Sequence, residues 1–316
     1  GELGLCLLAG ILLLLARVTP MASPSAAAGL QSATAISTAR VDGAQHLEVL
    51  KQHGLLGIRR PVEVKATPWQ PGVKPKSGEK VVHLIRHGQG FHNLIADMYR
   101  DFGKKVDSTG TEDDGANPYR RPEVVDPPLT AVGRQQAQSL QPTAKRLSGV
   151  QLVVTSPLRR AAETALLAFA QHVPAVPGGK PMVSFVGHEG CLETQGVNVC
   201  DRRRPMGEIR AEFSMVDWSE IQREVPQWSD TTRESPRAVS DRAHAFLLWL
   251  RDRPETEIAV ATHSAFLHNM LNSAVECEPQ EIGEWFLTGE LRSLLVSFHE
   301  REGLAPEGGA KRARQG

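Results

Sequence analysis

The 316-residue chain is 41% hydrophobic and 23% charged, with 28 Gly and 21 Pro, the composition of a globular protein with length enough for a sizeable core. Lys and Arg total 36, as do Asp and Glu, so no global field draws the protein to nucleic acid or an anionic membrane, and any anion site must be a local cluster. Cys6, Cys191, Cys200 and Cys277 show neither a C-x-x-C pair nor zinc-ligand spacing, and they are read as reduced thiols rather than a disulfide framework.

Residues 3–16, LGLCLLAGILLLLA, form a continuous apolar run. The run falls short of the roughly 20 residues that a transmembrane helix needs and suits the h-region of a signal peptide. Initiation at Met21 would remove it. The working expectation is a cytoplasmic protein, with a secretory or organelle-targeted one as the alternative. Residues 1–40 are set apart from the fold, and the Ala-, Ser- and Thr-rich part from 22 is expected to be disordered. Residues 41–80 are expected to hold a short helix, N-capped by Asp42 and ended by Gly54, and then a Pro/Gly linker over 67–80.

VVHLI at 81–85 reads as a buried strand. The polar, turn-rich stretch 101–128 reads as a long surface insertion. A helix follows over about 130–147, with Thr130 as N-cap and Pro142 weakening its second half. QLVVTS is a second strand, and PLRRAAETALLAFAQH a helix with Pro in its first turn. PMVSFVGH is a third strand. A long helix covers about 237–252, EIAVATHS is a fourth strand, a helix starts near 265, and LRSLLVSFH is a fifth strand. Residues 301–316 are a polar tail. Strands alternating with helices predict an α/β fold over 81–300, a three-layer α/β/α arrangement with a mostly parallel central sheet.

In such sheets ligands sit beyond the carboxyl ends of the strands. That rule gathers Arg86, His87 and Gly88 after the first strand, Arg159 and Arg160 after the second, Glu189 and Glu193 after the third, and His263 after the fourth. A neutral imidazole can attack phosphorus and hold the phosphoryl group covalently. Fixed arginines and a second imidazolium stabilise the charge on its oxygens, and a carboxylic acid protonates the leaving oxygen. Cations of this kind make a metal unnecessary, and no metal or cofactor is expected. Gly88 would let the backbone approach the phosphate closely.

These segments resemble the histidine phosphatase superfamily, the phosphoglycerate mutase-like fold. The resemblance rests on RHG at 86–88 with Asn93 downstream, PLTAVGRQQA at 128–137, TSPLRRAAETA at 155–165 and VATHSAFL at 260–267. LETQGVNVCDRRRP at 192–205 is similar to a segment of its plant and fungal phosphoglycerate mutase-like phosphatases. The resemblance implies His87 as nucleophile, Arg86, Arg160 and His263 as holders of the phosphoryl oxygens, Asn93 as a further donor, and Glu193 as proton donor, with Glu189 as its competitor. Arg202 and Arg203 are expected to bind substrate, and Gly88 to line the phosphate. His83 and His188 are read as structural, and His92 as a further candidate contact. Gln89 stands where cofactor-dependent mutases usually carry glutamate, which with the insertion favours a hydrolase of small-molecule phosphomonoesters over a mutase. A catalytically inactive phospho-ligand binding protein is the alternative from another class. No nucleic acid and no stable membrane partner is expected.

Overall fold

The computed structural model describes residues 33–110, 117–174, 179 and 181–301, with side chains from residue 38. The apolar run at 3–16 and the tail beyond Arg301 lie outside the described residues. Seven strands form one sheet in the order β4-β3-β5-β2-β7-β1-β6. They are β1 (Val62–Pro68), β2 (Glu79–Arg86), β3 (Leu152–Thr155), β4 (Ser184–Gly187), β5 (Glu257–Thr262), β6 (Glu276–Cys277) and β7 (Leu291–Glu300). The β4/β3, β3/β5, β5/β2 and β1/β6 pairs are parallel. β7 runs antiparallel between β2 and β1.

The side-chain alternation of β5 shows how the layers form. Ile258 and Val260 point to one face, where they join Val82, Leu84, Leu152 and Val154 under α7 (Pro236–Asp252) and α8 (Ser264–Asn269). Ala259 and Ala261 point to the other, with Ile85, Val153 and Phe185. That face is covered by α4 (Gln141–Arg146), α5 (Arg159–Ala168) and α6 (Met206–Glu212). Helices therefore cover both faces, as the sequence predicts. Central strands buried on both sides read as continuous apolar runs, which is why VVHLI and IAVA were visible.

Three expectations are corrected. The first helix, α1, spans Ala33–Gln52, so residues 33–40 belong to the fold and Asp42 is interior to the helix rather than its cap. Small residues read as disorder are here good helix formers packed against the domain: Ala39 and Leu50 are buried. Gly54, with φ +62°, does stop it. Second, Val62–Pro68 is a strand rather than a lead into a linker; Val62, Val64 and Ala66 are buried while Glu63 and Lys65 alternate outward. Third, the helix at 130–147 is two: α3 (Ala131–Ser139), capped by Thr130 Oγ1 accepting from the Gly133 N–H at 3.0 Å, and α4, which restarts with Pro142 in its first turn. Likewise Pro157 precedes α5 and lies outside it.

The stretch 101–128 is not a free surface loop. Val106, Asn117, Tyr119, Val124 and Asp126 are buried, and Asp126 Oδ1 accepts from the Arg159 N–H at 2.7 Å, capping α5 from outside the helix. Residues 111–116 lie outside the described residues. Cys191, Cys200 and Cys277 are free thiols. Among the described residues no helix is long and apolar enough to cross a membrane.

Candidate active site

Strand register builds the site. Arg86, the last residue of β2, is paired with Thr262, the last of β5, so His87 and His263 are the first residues beyond two adjacent parallel strands. Their ring centroids are 5.1 Å apart. Thr155 of β3 pairs with Ala261, which brings Ser156 beside them, and Ser156 Oγ lies 2.8 Å from His263 Nε2. α5 starts just beyond and carries Arg160 in its first turn. The loop after β4 returns Glu193 to the same place. Arg86, His87, Arg160 and Glu193 line one cavity of about 50 Å³, with His92, Asn93, Asp201, Arg233 and Ser264.

His87 is 2% exposed. Its Nδ1 lies 2.7 Å from Gly88 O, and a carbonyl can only accept, so Nδ1 carries the proton. Nε2 is then the lone-pair nitrogen, and it accepts from Arg160 Nε at 3.1 Å. Burial, then Arg160 and Arg86, push its pKa well below 6.5, so the ring is neutral, the form a nucleophile needs. Burial, then Arg160 and His87, also push His263 well below 6.5. A phosphoryl dianion beside it would push it up again, toward the imidazolium expected when the charge on the phosphoryl oxygens is stabilised.

The arginines are locked from behind. Arg160 donates from Nη1 to Cys200 O at 2.7 Å and from Nη2 to Asp201 Oδ1 at 2.9 Å. Asp201 Oδ2 also accepts from Arg233 Nη1 at 3.2 Å. Arg86 Nη1 donates to Phe286 O at 2.6 Å. Arg86 Nε and Arg233 Nε are buried with no protein acceptor; a buried unsatisfied donor costs about 1–3 kcal/mol, which anion oxygens between them would relieve.

Glu193 sits on the N-terminus of α8. Its Oε2 accepts from the Ala265 N–H at 3.0 Å, and its Oε1 from Phe266 and Thr194 at 2.8 and 2.9 Å. Burial, then the charge of Asp201, raise its pKa; the Thr194 N–H, Arg233 and Arg160 act against that rise.

A family model described as the histidine phosphatase superfamily (branch 1) matches residues 116–179 and 201–303. A phosphoglycerate mutase-like protein of Arabidopsis thaliana is 32% identical over 71% of this chain and 87% of its own. The chain belongs to the histidine phosphatase superfamily. Phosphoglycerate mutase-like protein 1 of the same plant is 31% identical over 71% of this chain and 84% of its own. An alpha-ribazole phosphatase structure from Shigella flexneri is 19% identical, covering 72% of this chain and all of its own at a TM-score of 0.43. Membership makes the protein an enzyme of the phosphatase or mutase type.

Not every residue expected in this superfamily member's site reaches it. Arg203 is fully buried, but its donors go to Glu189 Oε1 and to the carbonyls of Arg204, Glu224 and Arg223; it holds the 203–224 loops together. Arg202 is exposed and does not line the cavity. Glu189, held by Arg203, is likewise outside, so of the two glutamates considered as donor only Glu193 lines the cavity with His87. Gly88 is not a phosphate contact: its N–H donates to Thr164 Oγ1 at 3.1 Å. What requires glycine there is α3, since a Cβ on Gly88 would lie 2.3 Å from Gly133 O. Gly88→Ala is expected to destabilise the fold by about 1–3 kcal/mol, the range for overpacking, read from the midpoint of urea unfolding at unchanged slope.

Asn93 does line the cavity. Its Oδ1 is spent on the Gly90 N–H at 3.0 Å, which leaves the amide NH₂ as its remaining hydrogen-bonding group. His92 lines it as well. His83 is structural, bridging Ser293 Oγ and Glu257 Oε1. His188 caps the turn that follows it through the Gly190 N–H and packs on Trp249. Gln89 accepts from Thr130 Oγ1 at 2.8 Å, at the α3 cap and away from the cavity.

Sequence reasoning missed two groups. Asp201 stands in the 192–205 segment that carried the resemblance but had no role assigned, and Arg233 stands outside the quoted segments. Asp42, His46, Ser108, Tyr119 and Trp285 line the cavity from outside the recognised motifs. Asp42 and His46 are one helical turn apart on α1, the i, i+4 relation that puts two side chains on one face. A larger cavity of about 1040 Å³ lies along the other side of α1; it holds none of the residues gathered at the strand ends, so size does not locate the chemistry here.

Proposed function

We propose that the protein hydrolyses small-molecule phosphomonoesters through a phosphohistidine on His87. The observation that carries this reading is the His87 ring: neutral, with Nε2 as its lone-pair nitrogen, inside a cavity that also presents Arg86, Arg160 and Glu193, with the His263 ring centroid 5.1 Å away. The His87 Nε2 lone pair attacks phosphorus, and the P–O bond to the alcohol breaks. Glu193 gives its proton to the leaving oxygen. Water then attacks phosphorus, Glu193 takes a proton from it, and the P–N bond breaks to restore neutral His87 and release inorganic phosphate. Arg86, Arg160, Arg233 and Asn93 hold the phosphoryl oxygens throughout.

Support for hydrolysis over mutase transfer comes from the insertion, which brings Ser108 and Tyr119 over the site. The test is a phosphate-release assay over sugar phosphates, nucleotides and phosphoglycerates, run beside interconversion of 3- and 2-phosphoglycerate. Phosphate release is expected to exceed interconversion; the reverse ratio would establish a mutase. Because guanidinium groups supply the positive charge, EDTA is expected to leave the rate unchanged. A rate lost with EDTA and restored by Mg²⁺ or Zn²⁺ would reject that reading.

A further inference from the structure

Resting on the phosphomonoester reading, we propose that Asn198 is a specificity-determining residue whose side-chain oxygen accepts a hydrogen bond from a hydroxyl group on the alcohol part of the ester. The substrate class is then phosphomonoesters of polyols and sugars rather than of simple alkyl alcohols.

An unpaired acceptor in the cavity wall carries this inference. Asn198 lines the cavity and is 2% exposed, and its Oδ1 is buried with no hydrogen-bond partner. Folded proteins rarely leave such a group unmet, because the lost hydration is not regained. Arg233 lines the same cavity, and its Nε is also buried and unpaired. The two atoms are neighbours: a Cβ on Gly110 of the insertion would lie 3.2 Å from Arg233 Nε and 3.3 Å from Asn198 Oδ1. An anion oxygen suits the guanidinium, but not Asn198 Oδ1, since both oxygens offer only lone pairs. What Oδ1 takes is a group that brings a hydrogen. An ammonium would set a like charge against Arg233, which leaves a neutral hydroxyl. Arg233 holds phosphoryl oxygen in the reaction proposed above, so the hydroxyl that meets its neighbour belongs to the alcohol part of the same ester.

The backbone is strained where it holds Asn198. Val197 has φ +64°, in the left-handed region that a β-branched residue rarely adopts. The Asn198 N–H donates to Gly196 O at 2.7 Å, the i to i+2 bond of a γ-turn, whose form with positive φ is rare. Such a turn persists only where its surroundings fix it. The loop before α7 does so. Ser229 O accepts from the Val197 N–H at 2.9 Å, Arg233 Nη1 donates to Gly196 O at 2.8 Å, and a Cβ on Gly196 would lie 2.0 Å from Thr232 O. An asparagine kept only for the turn would bond its side-chain oxygen to nearby N–H groups. Asn198 Oδ1 bonds to none.

The test uses two phosphonates that cannot be hydrolysed, 3,4-dihydroxybutylphosphonate and butylphosphonate, as competitive inhibitors of para-nitrophenyl phosphate hydrolysis. They share a carbon chain and differ only in the hydroxyl groups. Nothing departs from either, so leaving-group chemistry does not enter the comparison. The wild-type chain is expected to bind the dihydroxy compound about five- to tenfold more tightly, the scale of one net hydrogen bond. Asn198→Leu, close in volume and without an acceptor, should bring the two inhibition constants together. Asn198→Asp, which keeps an oxygen at that place, should retain the preference. A purely structural role for Asn198 would weaken both inhibitors alike in Asn198→Leu and leave their ratio unmoved, which would overturn the proposal. So would equal inhibition constants in the wild type, the outcome if water rather than the ligand meets Oδ1, and a result independent of whether any variant folds. Failure of the wild type to release phosphate from para-nitrophenyl phosphate would overturn the phosphatase reading first, and this proposal with it.

Discussion

His87→Ala is expected to lower turnover of every phosphomonoester by about 10⁴–10⁶-fold, the scale seen when a covalent nucleophile is removed from an assembled site. No neighbour is placed to replace it. His263 has Nε2 on Ser156 Oγ, and the His92 ring centroid stands 5.6 Å from that of His87. Protonation does not mask the effect, because burial and the two arginines keep His87 neutral well below pH 6.5. The wild-type chain mixed with substrate and quenched in alkali within one turnover should carry one phosphate on His87, located by mass spectrometry; an acid quench would hydrolyse the P–N bond. Since the ring is buried, circular dichroism and the urea midpoint of the variant must show a folded chain. A folded His87→Ala protein at full activity would remove the phosphohistidine mechanism.

Much of this site was legible because β2, β3 and β5 are buried on both faces. A strand so placed is a short apolar run that stops abruptly, and the residue after the stop is at the ligand edge. Arg86, His87, Arg160 and His263 follow from three such stops. Long-range pairing is harder to read. VEVKAT has the alternation of a half-buried strand, yet nothing local says that Val62–Pro68 pairs with β7 and β6. α1 delivers Asp42 to the cavity from 45 positions before His87, a meeting that only the packing of α1 against the domain produces. In Arg202-Arg203-Arg204 each residue has the same chemistry; which one is consumed by carbonyls and which by carboxylates depends on Arg223 and Glu224, 20 and 21 residues from Arg203, and on Asp126, 78 residues from Arg204. Gly88 was read as room for phosphate, whereas the atom that needs the room is Gly133 O.

Glu193→Gln is expected to slow phosphorylation by alkyl phosphates about 10²–10⁴-fold, the usual contribution of a general acid. An alkoxide is a poor leaving group and needs the proton as the P–O bond breaks. Para-nitrophenolate leaves without it, so para-nitrophenyl phosphate should lose far less in the same step. The pH dependence has a sign that follows from the site. Burial and Asp201 raise the Glu193 pKa, which keeps a fraction of the acid protonated at higher pH than an ordinary glutamate allows. The acid form is the active one, so kcat/KM for an alkyl ester should fall as pH rises through that raised value. The same limb should be weak with para-nitrophenyl phosphate and absent in Glu193→Gln. Single-turnover measurement is required, because the same carboxylate takes a proton from water in the second step and its loss there would slow both substrates alike. The variant is nearly isosteric, but Ala265 donates to one oxygen of Glu193 and Phe266 to the other, so the amide oxygen keeps only one of these bonds and the urea midpoint of the variant must show a folded chain. Equal losses on the two substrates in the first step would take Glu193 out of the donor role. Glu189 could not then inherit it without moving, since its carboxylate is bound to Arg203 Nε at 2.7 Å and lies outside the cavity.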